Sequence, residues 1–263
     1  MENIMNDKFA AMKNFFIGKS VMVAYSGGMD SSTLIHFLSN LPDVKLTAVT
    51  VLGPHIPHEE FARSKEICSK FNINHLIIEA NPLKLEGMIC NDENRCYHCK
   101  TAVFKILKSK AKELEADVVC DGTNVTDTSD FRPGMRALKE LEVFSPFLEF
   151  GIGKEEIKSY LVENGLTEWI TPSNACLISR VPYGTKFNEE DLAKIDTAET
   201  FLRSLGIKQV RCRLHPDLVR IEVLDDDFPT ITRNKAKIHD RLNEIGFKYI
   251  TVDLRGYKTG GAN

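Results

Sequence analysis

The stretch Ser26-Gly27-Gly28-Met29-Asp30-Ser31-Ser32 joins a short apolar run, residues 21–25, to an amphipathic run that begins at residue 33. This placement predicts a turn between a β-strand and an α-helix. Two adjacent glycines let the backbone approach a ligand with no Cβ atom in the way, and the amides at a helix start attract anions. The serine hydroxyls add further donors. The stretch is therefore predicted to hold pyrophosphate, the alternative being a glycine-rich turn capped by serines.

The same stretch differs from the two commonest nucleotide-binding loops, because it lacks both a Gly-Lys-Ser/Thr ending and G-x-G-x-x-G spacing. At every position it resembles SGGxDS, the signature of the PP-loop ATP pyrophosphatases. The resemblance implies that ATP is cleaved between its α and β phosphates and that AMP moves to an oxygen of the substrate.

Composition limits the classes of partner. The chain has 263 residues, 43% of them hydrophobic, which is enough for one large domain and a small one. Its net charge of -3 gives no bulk attraction to nucleic acid, so nucleic acid is not an expected partner. Residues 1–20 carry charges and lack a long apolar run, so we expect no signal peptide, no membrane span and a cytoplasmic location. Seven cysteines in a reducing compartment are not expected to form structural disulfides.

Strand and helix patterns alternate along the first part of the chain. The predicted strands are residues 21–25, 45–51, 75–79, 117–120 and 143–144, and the predicted helices are residues 5–16, 31–39, 58–70, 100–114 and 154–164. The order predicts an α/β fold with a doubly wound parallel sheet. Ligands of such sheets bind beyond the carboxyl ends of the strands, where polar clusters occur at residues 26–30, at Thr50 and at residues 121–124.

The domain prediction has three parts: a PP-loop domain over residues 1–170, a cysteine-bearing linker loop over residues 171–188, and a smaller α+β domain over residues 189–263. The last part is predicted to contain helices at 189–205 and 230–245 and strands at 209–214, 218–224 and 248–254. A unit of this size is marginally stable alone. We therefore expect it to pack on the first domain or on another subunit, and we expect a homo-oligomer.

Two cysteines, Cys96 and Cys99, have C-x-x-C spacing at a predicted helix start, where the helix dipole favours thiolates. A redox pair or half of a zinc site would have the same spacing. Cys176 is the best candidate for a third ligand, because it lies among polar and turn residues. Three cysteines leave one position of a zinc or cubane site open. The other cysteines are predicted to be structural, with Cys90 the least certain of Cys68, Cys90, Cys120 and Cys212.

Four motifs together resemble the LarE family, PP-loop enzymes that insert sulfur during synthesis of the nickel-pincer nucleotide cofactor. They are SGGMDSS at 26–32, DGTNVTDTSDFRPG at 121–134, PSNACLISRVPYG at 172–184 and AETFLRSLGIKQVRCRLHPDLVRIEV at 198–223. The resemblance implies that a carboxylate of pyridinium biscarboxylate mononucleotide is adenylated with ATP and Mg²⁺ and then converted to a thiocarboxylate. It also implies sulfide or a sulfur carrier, and the nickel-inserting enzyme of the same pathway, as partners.

Single-cysteine members of that family resemble this chain at Cys176 and give up the sulfur of that residue, which becomes dehydroalanine. This sequence adds Cys96 and Cys99, and so resembles the branch in which three cysteines hold a [4Fe-4S] cluster whose fourth iron carries sulfide. Loss of the Cys176 sulfur would destroy a cluster ligand, which favours exogenous sulfide. A sacrificial Cys176 stays open as the alternative.

Adenylation at this loop and the polar strand ends also suggest roles near the phosphates. The residues assigned to ATP or its metal are Ser26, Gly27, Gly28, Asp30, Ser31, Ser32, Thr50, Asp121, Gly122 and Thr123. Asp30 is expected to orient the loop or to hold Mg²⁺, with helix capping as the alternative. An ordinary Asx turn is the alternative at Asp121.

Other residues are assigned to sulfur transfer and to the substrate. Cys176 and Arg180 are the candidate catalytic residues, with Arg180 neutralising a phosphate or carboxylate. Arg211 and Arg213 alternate with apolar residues, so both side chains project from the same face of a strand. Two neighbouring guanidinium groups are suited to bind a phosphomonoester. Glu199 is a candidate substrate or metal contact by resemblance. Solvated charges are the alternative for the three arginines.

Two other functions remain open at this point. A cluster-dependent tRNA thiolase would also join adenylation to sulfur transfer, although the acidic balance disfavours RNA binding. A non-catalytic ATP sensor with a structural zinc at Cys96 and Cys99 belongs to a different class.

Overall fold

The computed structural model describes residues 2–129, 133–172 and 175–258. The chain forms two compact units. The first comprises residues 1–53, 60–85 and 94–174, and the second comprises residues 54–59, 86–93 and 175–263. The domain limits proposed from the sequence stay a prediction.

A four-stranded parallel sheet forms the centre of the first unit, with strand order β3-β2-β1-β4. Its strands are β1 (Ser20–Ala24), β2 (Lys45–Leu52), β3 (Asn74–Glu79) and β4 (Val118–Cys120). In register, Val23 of β1 faces Ala48 of β2 on one side and Cys120 of β4 on the other. Helices connect these strands, which confirms the predicted α/β fold with a parallel sheet.

The helices of the chain are α1 (Glu2–Phe16), α2 (Met29–Ser39), α3 (His58–Lys70), α4 (Glu86–Ile89), α5 (Arg95–Glu113), α6 (Pro133–Glu140), α7 (Pro146–Glu149), α8 (Lys154–Glu163), α9 (Glu189–Ser204), α10 (Phe228–Arg233) and α11 (Lys235–Ile245). None of the helices in the described part of the chain has the length and hydropathy that a membrane crossing requires.

The parallel sheet is covered on both faces. Val23 belongs to a core that contains Phe16 and Leu34, whereas Met22 belongs to a second core that contains Val49 and Leu107. Adjacent residues of β1 are therefore buried on opposite sides, as expected for a parallel strand between two helical layers. Ligands of such a sheet bind beyond the carboxyl ends of its strands.

The second unit contains a three-stranded sheet with the order β5-β6-β7. Its strands are β5 (Val210–Leu214), β6 (Leu218–Val223) and β7 (Tyr249–Val252). β5 and β6 are antiparallel, while β6 and β7 are parallel. Helix α9 buries Leu192 and Leu202. The second unit is thus the mixed α+β unit that the sequence predicted.

The prediction does not contain helices α4, α6 and α7, and three further elements differ from it clearly. The predicted helix over 230–245 is two helices separated at Asn234, whose side-chain amide donates to the carbonyl oxygen of Thr230 over 2.9 Å. The predicted strand over 143–144 is a single parallel bridge between Phe144 and Cys120. Helix α5 begins at Arg95, five residues before the predicted start.

Candidate functional site

The predicted pyrophosphate loop lies at the carboxyl end of β1. Gly27 has a φ of +81°, a left-handed conformation that favours glycine. Gly28 returns to extended backbone and is the N-cap of α2, which begins at Met29. The first amides of α2 therefore follow directly on the glycine pair, which is the arrangement that binds anions.

Serine hydroxyls hold this loop in shape. Ser26 is exposed, and its Oγ accepts a hydrogen bond from the amide of Gly28 over 3.2 Å and lies 3.0 Å from the Oγ of Ser31. The Ser31 hydroxyl donates to the carbonyl oxygen of Gly28 over 3.2 Å. The hydroxyl of buried Ser32 lies 3.1 Å from that of Tyr25. Of the three serines, Ser26 presents its side chain to solvent.

The turn that follows β4 packs against the start of α2. A Cβ atom on Gly122 would lie 2.9 Å from the amide nitrogen of Ser31, so the backbones touch and the position suits glycine. The Asn124 side-chain amide donates to Asp30 Oδ2 over 3.2 Å. The two polar clusters predicted at the ends of β1 and β4 are therefore side by side.

Asp121 is anchored within this turn. Its Oδ1 accepts from the Ser145 hydroxyl over 2.6 Å, and its Oδ2 accepts from the Thr123 hydroxyl over 2.5 Å. The Thr123 amide also points at Oδ1, at 3.3 Å, which is an Asx turn. The alternative expected at Asp121 is thus present, and a contact of Asp121 with ATP stays a prediction.

Thr50, at the carboxyl end of β2, has a buried hydroxyl. It donates to the carbonyl oxygen of Tyr25 over 2.8 Å and lies 2.8 Å from His75 Nε2. Burial lowers the pKa of His75. These contacts join Tyr25, which follows β1, to β2 and β3. The Thr50 hydroxyl is therefore engaged within the sheet, and a contact of Thr50 with ATP stays a prediction.

The C-x-x-C pair lies in the first turn of α5, with Cys96 exposed and Cys99 half-buried. Between them, the Tyr97 hydroxyl donates to Glu140 over 2.6 Å, and the Arg136 guanidinium lies 3.7 Å from the centre of the Tyr97 ring. These contacts attach the turn to α6. Residues three apart in a helix share a face, so the two cysteine side chains lie on the same side of α5.

Three of the four remaining cysteines have the burial expected of structural residues. Cys68, Cys120 and Cys212 are buried, and Cys90 is exposed. Burial raises the pKa of Cys68 to about 12 and also raises that of Cys120 and Cys212. Thiols of this kind are unreactive, which supports a structural role for the three buried residues.

In the second unit, half-buried Cys176 immediately precedes a 3₁₀ turn over Leu177–Arg180. The Leu177 amide donates to the carbonyl oxygen of His55 over 2.8 Å. Arg180 turns inward and donates from Nε and Nη2 to the two carboxylate oxygens of Glu199, each over 2.9 Å. Both side chains have 0% exposure, so Arg180 is not the solvated loop charge that the sequence left open.

Glu199 has further partners. Its Oε1 accepts from the Cys212 amide over 2.9 Å, and its Oε2 lies 3.4 Å from Arg203 Nη1. Burial alone would raise the pKa of Glu199, but the charge and hydrogen bonds of Arg180 outweigh it and hold that pKa below its usual value. Glu199 is therefore the ionised centre of a buried network.

The two strand arginines are buried as well. Arg213 donates from Nε and Nη2 to Glu222 Oε2, over 2.9 and 2.8 Å, and from Nη1 to the carbonyl oxygen of Ser179 over 3.0 Å. Arg211 lies 5.3 Å from the centre of the Tyr257 ring, and burial followed by repulsion from Arg180 lowers its pKa. The solvated sheet face that the sequence left open is not what the structure shows.

Relatives of the chain identify its family. No protein-family profile matches it. An uncharacterised protein of Synechocystis sp. is 32% identical over 99% of this chain and 98% of its own length. An uncharacterised protein of Methanocaldococcus jannaschii is 33% identical over 94% of both chains. The pyridinium-3,5-bisthiocarboxylic acid mononucleotide synthase of Lactiplantibacillus plantarum, a LarE protein, is 30% identical over 97% of this chain and 91% of its own length. The chain belongs to the LarE family.

In this LarE-family chain Lys100 is a further candidate residue that the motifs missed. Lys100 follows Cys99 on α5, and its Nζ lies 3.9 Å from Asp121 Oδ2. The aliphatic part of the Lys100 side chain packs directly on Gly134, because a Cβ atom at Gly134 would lie 2.8 Å from the Lys100 Cδ. The only signal in the sequence was a lysine at the predicted start of a helix that follows a strand.

The cofactors expected of a LarE protein fit the described residues to different degrees. The glycine cradle and the helix start fit a phosphate chain. Cys96 and Cys99 fit as two ligands of a metal group. Among residues 2–129, 133–172 and 175–258, no group of three or more histidine, cysteine or acidic side chains is close enough to hold a metal ion.

Proposed function

We propose that the chain is an ATP-dependent sulfur transferase that converts a carboxylate of pyridinium biscarboxylate mononucleotide to a thiocarboxylate. The observation that supports it best is the loop at the carboxyl end of β1, where Gly27 and Gly28 expose the start of α2. The L. plantarum relative, whose name describes a bisthiocarboxylic mononucleotide, supplies the substrate class.

In the first step, a substrate carboxylate oxygen attacks the α-phosphorus of ATP, and pyrophosphate leaves. The backbone amides after Gly28 and the exposed Ser26 hydroxyl bind the phosphates, and Lys100 adds a positive charge. Asp30, oriented by Asn124, is the proposed contact for Mg²⁺, which supplies charge neutralisation when bound. The product is an acyl-adenylate whose leaving group is AMP.

In the second step, a sulfur nucleophile attacks the activated carbon, and AMP leaves with the electron pair of the carbon–oxygen bond. From the resemblance, Cys96, Cys99 and Cys176 are the proposed ligands of a [4Fe-4S] cluster, which would supply the transferable sulfide when bound, although the described residues show no such group of three. A sacrificial Cys176 would instead lose its own sulfur. The mass of the intact protein after turnover decides between them, because sacrifice removes one H₂S from Cys176 and the cluster route does not.

The substrate phosphate is assigned to the strand arginines, Arg211 and Arg213. The most weakly bonded acceptor of Arg213 is the carbonyl oxygen of Lys258, at 3.4 Å. A phosphate oxygen would replace that contact and leave the pair with Glu222 intact.

Substrate-dependent release of pyrophosphate from ATP tests this function. Wild-type protein should release it with the pyridinium mononucleotide, and Gly27→Ala should not. Total tRNA is the competing substrate, and tRNA-dependent release or salt-sensitive tRNA binding would contradict the proposal. ATP binding without pyrophosphate release would favour the sensor. Iron, sulfide and zinc contents after anaerobic purification test the cluster separately.

A further inference from the structure

The main chain at Cys176 is bound by a buried guanidinium. Nη1 of Arg180 donates to the carbonyl oxygens of Ala175 and Cys176, the second over 3.0 Å, and lies 3.0 Å from the Ser179 Oγ. The remaining nitrogens, Nε and Nη2, both bond Glu199. Each nitrogen of the guanidinium thus has an acceptor within the same unit of the protein.

Glu199 connects this guanidinium to the rigid part of the second unit. It lies on α9, and its Oε1 also accepts from the Cys212 amide of β5. The pair between Arg180 and Glu199 is bidentate and therefore planar. Because Glu199 is held by both a helix and a strand, the pair fixes the position and the orientation of the Arg180 guanidinium. The position of the Cys176 carbonyl is therefore set by α9 and β5.

Burial argues against a direct role for the pair. Arg180 and Glu199 are both at 0% exposure, so a substrate carboxylate or phosphate would have to displace an existing buried ion pair to reach either one. Separating such a pair leaves a charge without a partner in a medium of low polarity, which is strongly unfavourable. The contact between Arg180 and substrate that the motifs suggested is thus disfavoured by the geometry.

We propose that Arg180 is a positioning residue, anchored by Glu199, that holds the main chain at Cys176 in the orientation needed for sulfur transfer and does not touch substrate. This inference rests on the proposed function, because it assigns Cys176 to the sulfur step. Transfer needs the sulfur and the activated carbon in near-attack geometry, where a displacement of about 1 Å costs roughly a hundredfold in rate.

The test separates the two half-reactions in Arg180→Lys and Glu199→Gln, which keep the size of each side chain but lose the bidentate pair. We expect substrate-dependent pyrophosphate release and the KM of the mononucleotide to stay within about twofold of wild type. We expect thiocarboxylate formation to fall at least about tenfold. Thermal unfolding and circular dichroism establish that each variant is folded.

Arg203→Met is the matched control. Arg203 also contacts Glu199, at 3.4 Å, but its shorter ion pair is with Glu59, over 2.7 Å, and its loss should leave sulfur transfer unchanged. A KM raised about tenfold or a loss of pyrophosphate release in Arg180→Lys would show that Arg180 binds substrate, and would overturn the proposal. Unchanged thiocarboxylate formation in both variants would overturn it equally.

A second measurement needs no turnover. The rate at which iodoacetamide alkylates Cys176, resolved by peptide mass spectrometry on metal-free protein, should change in Arg180→Lys and Glu199→Gln, while the rate at exposed Cys90 stays constant. An unchanged rate at Cys176 contradicts the positioning role. If wild type releases no pyrophosphate with the mononucleotide, the proposed function fails, and alkylation still decides the positioning role.

Discussion

Gly27 lies directly against the backbone of Glu60: a Cβ atom at Gly27 would be 3.1 Å from the Glu60 carbonyl carbon and closer still to its oxygen. The same atom would lie 3.2 Å from the Cβ of Ser64. Glycine is therefore required at this position for two reasons: the positive φ and the lack of space for a Cβ atom. The predicted pyrophosphate loop is therefore constrained by the start of α3 as well as by its own residues.

Gly27→Ala is expected to destabilise the protein more than Gly18→Ala. Both glycines have a positive φ, but a Cβ atom on Gly18 would meet nothing within 4 Å. Each substitution costs about 1 kcal/mol for the left-handed backbone, and Gly27→Ala adds the clash with Glu60. Chemical denaturation measures both variants, and calorimetry should show loss of ATP binding in Gly27→Ala alone. Equal destabilisation would contradict the role of Glu60.

Lys100→Met should weaken ATP binding by about tenfold, because a charge-assisted contact with phosphate is lost. Titration calorimetry gives the dissociation constant directly. Lys105→Met is the control on the same helix, since Lys105 is exposed there. An equal effect of the two substitutions would mean that Lys100 acts only through the general charge of α5.

Glu222→Ala should lower the free energy of unfolding by about 3 to 5 kcal/mol, because Arg213 would be left as a buried charge without its main acceptor. Urea denaturation checks this value. Glu244→Ala, which breaks an exposed pair with Arg241, is expected to change stability much less. A small loss in Glu222→Ala would show that Arg213 finds another acceptor.

Stability should fall as the pH is lowered from about 6.5 to about 4, in part because of His55. Burial lowers the pKa of His55 to about 4, so the unfolded chain binds the proton first and acid favours unfolding. Between pH 6.5 and pH 4, protonation of His55 should lower the free energy of unfolding by about 3 kcal/mol. Urea titrations across this range should show a smaller slope in His55→Asn, with His239→Asn at an exposed position as control. A slope that does not change in His55→Asn contradicts the assignment.

Much of the first unit could be predicted from the sequence, because its signals are local. Apolar runs such as residues 21–25 mark buried parallel strands, and the glycine pair marks the turn after them. The helix break at Asn234 could not be predicted, because Asn234 and its neighbours fit a helical pattern and the break depends on local hydrogen bonds. The early start of α5 lies where Tyr97 contacts α6, and that contact between distant residues has no local signal in the sequence.

The site in the second unit was harder to predict. The motifs singled out Arg180, Arg213 and Glu199, but gave no information on burial. Their partners are 19 and 9 residues away, and the pairing of Arg213 with Glu222 depends on the register of β5 with β6. A charged residue is usually exposed unless it is paired, so sequence alone favours a solvated arginine.

The two compact units alternate along the chain, and this has a practical consequence for anyone who wishes to separate them. The chain passes from one unit to the other five times, so no single cut yields either unit whole. A fragment that starts at residue 175 would lack His55, the acceptor of the Leu177 amide, and Asn91, whose side chain donates to the carbonyl oxygens of Pro182 and Thr185. In such a fragment the loop that contains Cys176 would have to form without those hydrogen bonds. Because each unit consists of three chain segments, an exchange of one unit between proteins would have to replace three segments.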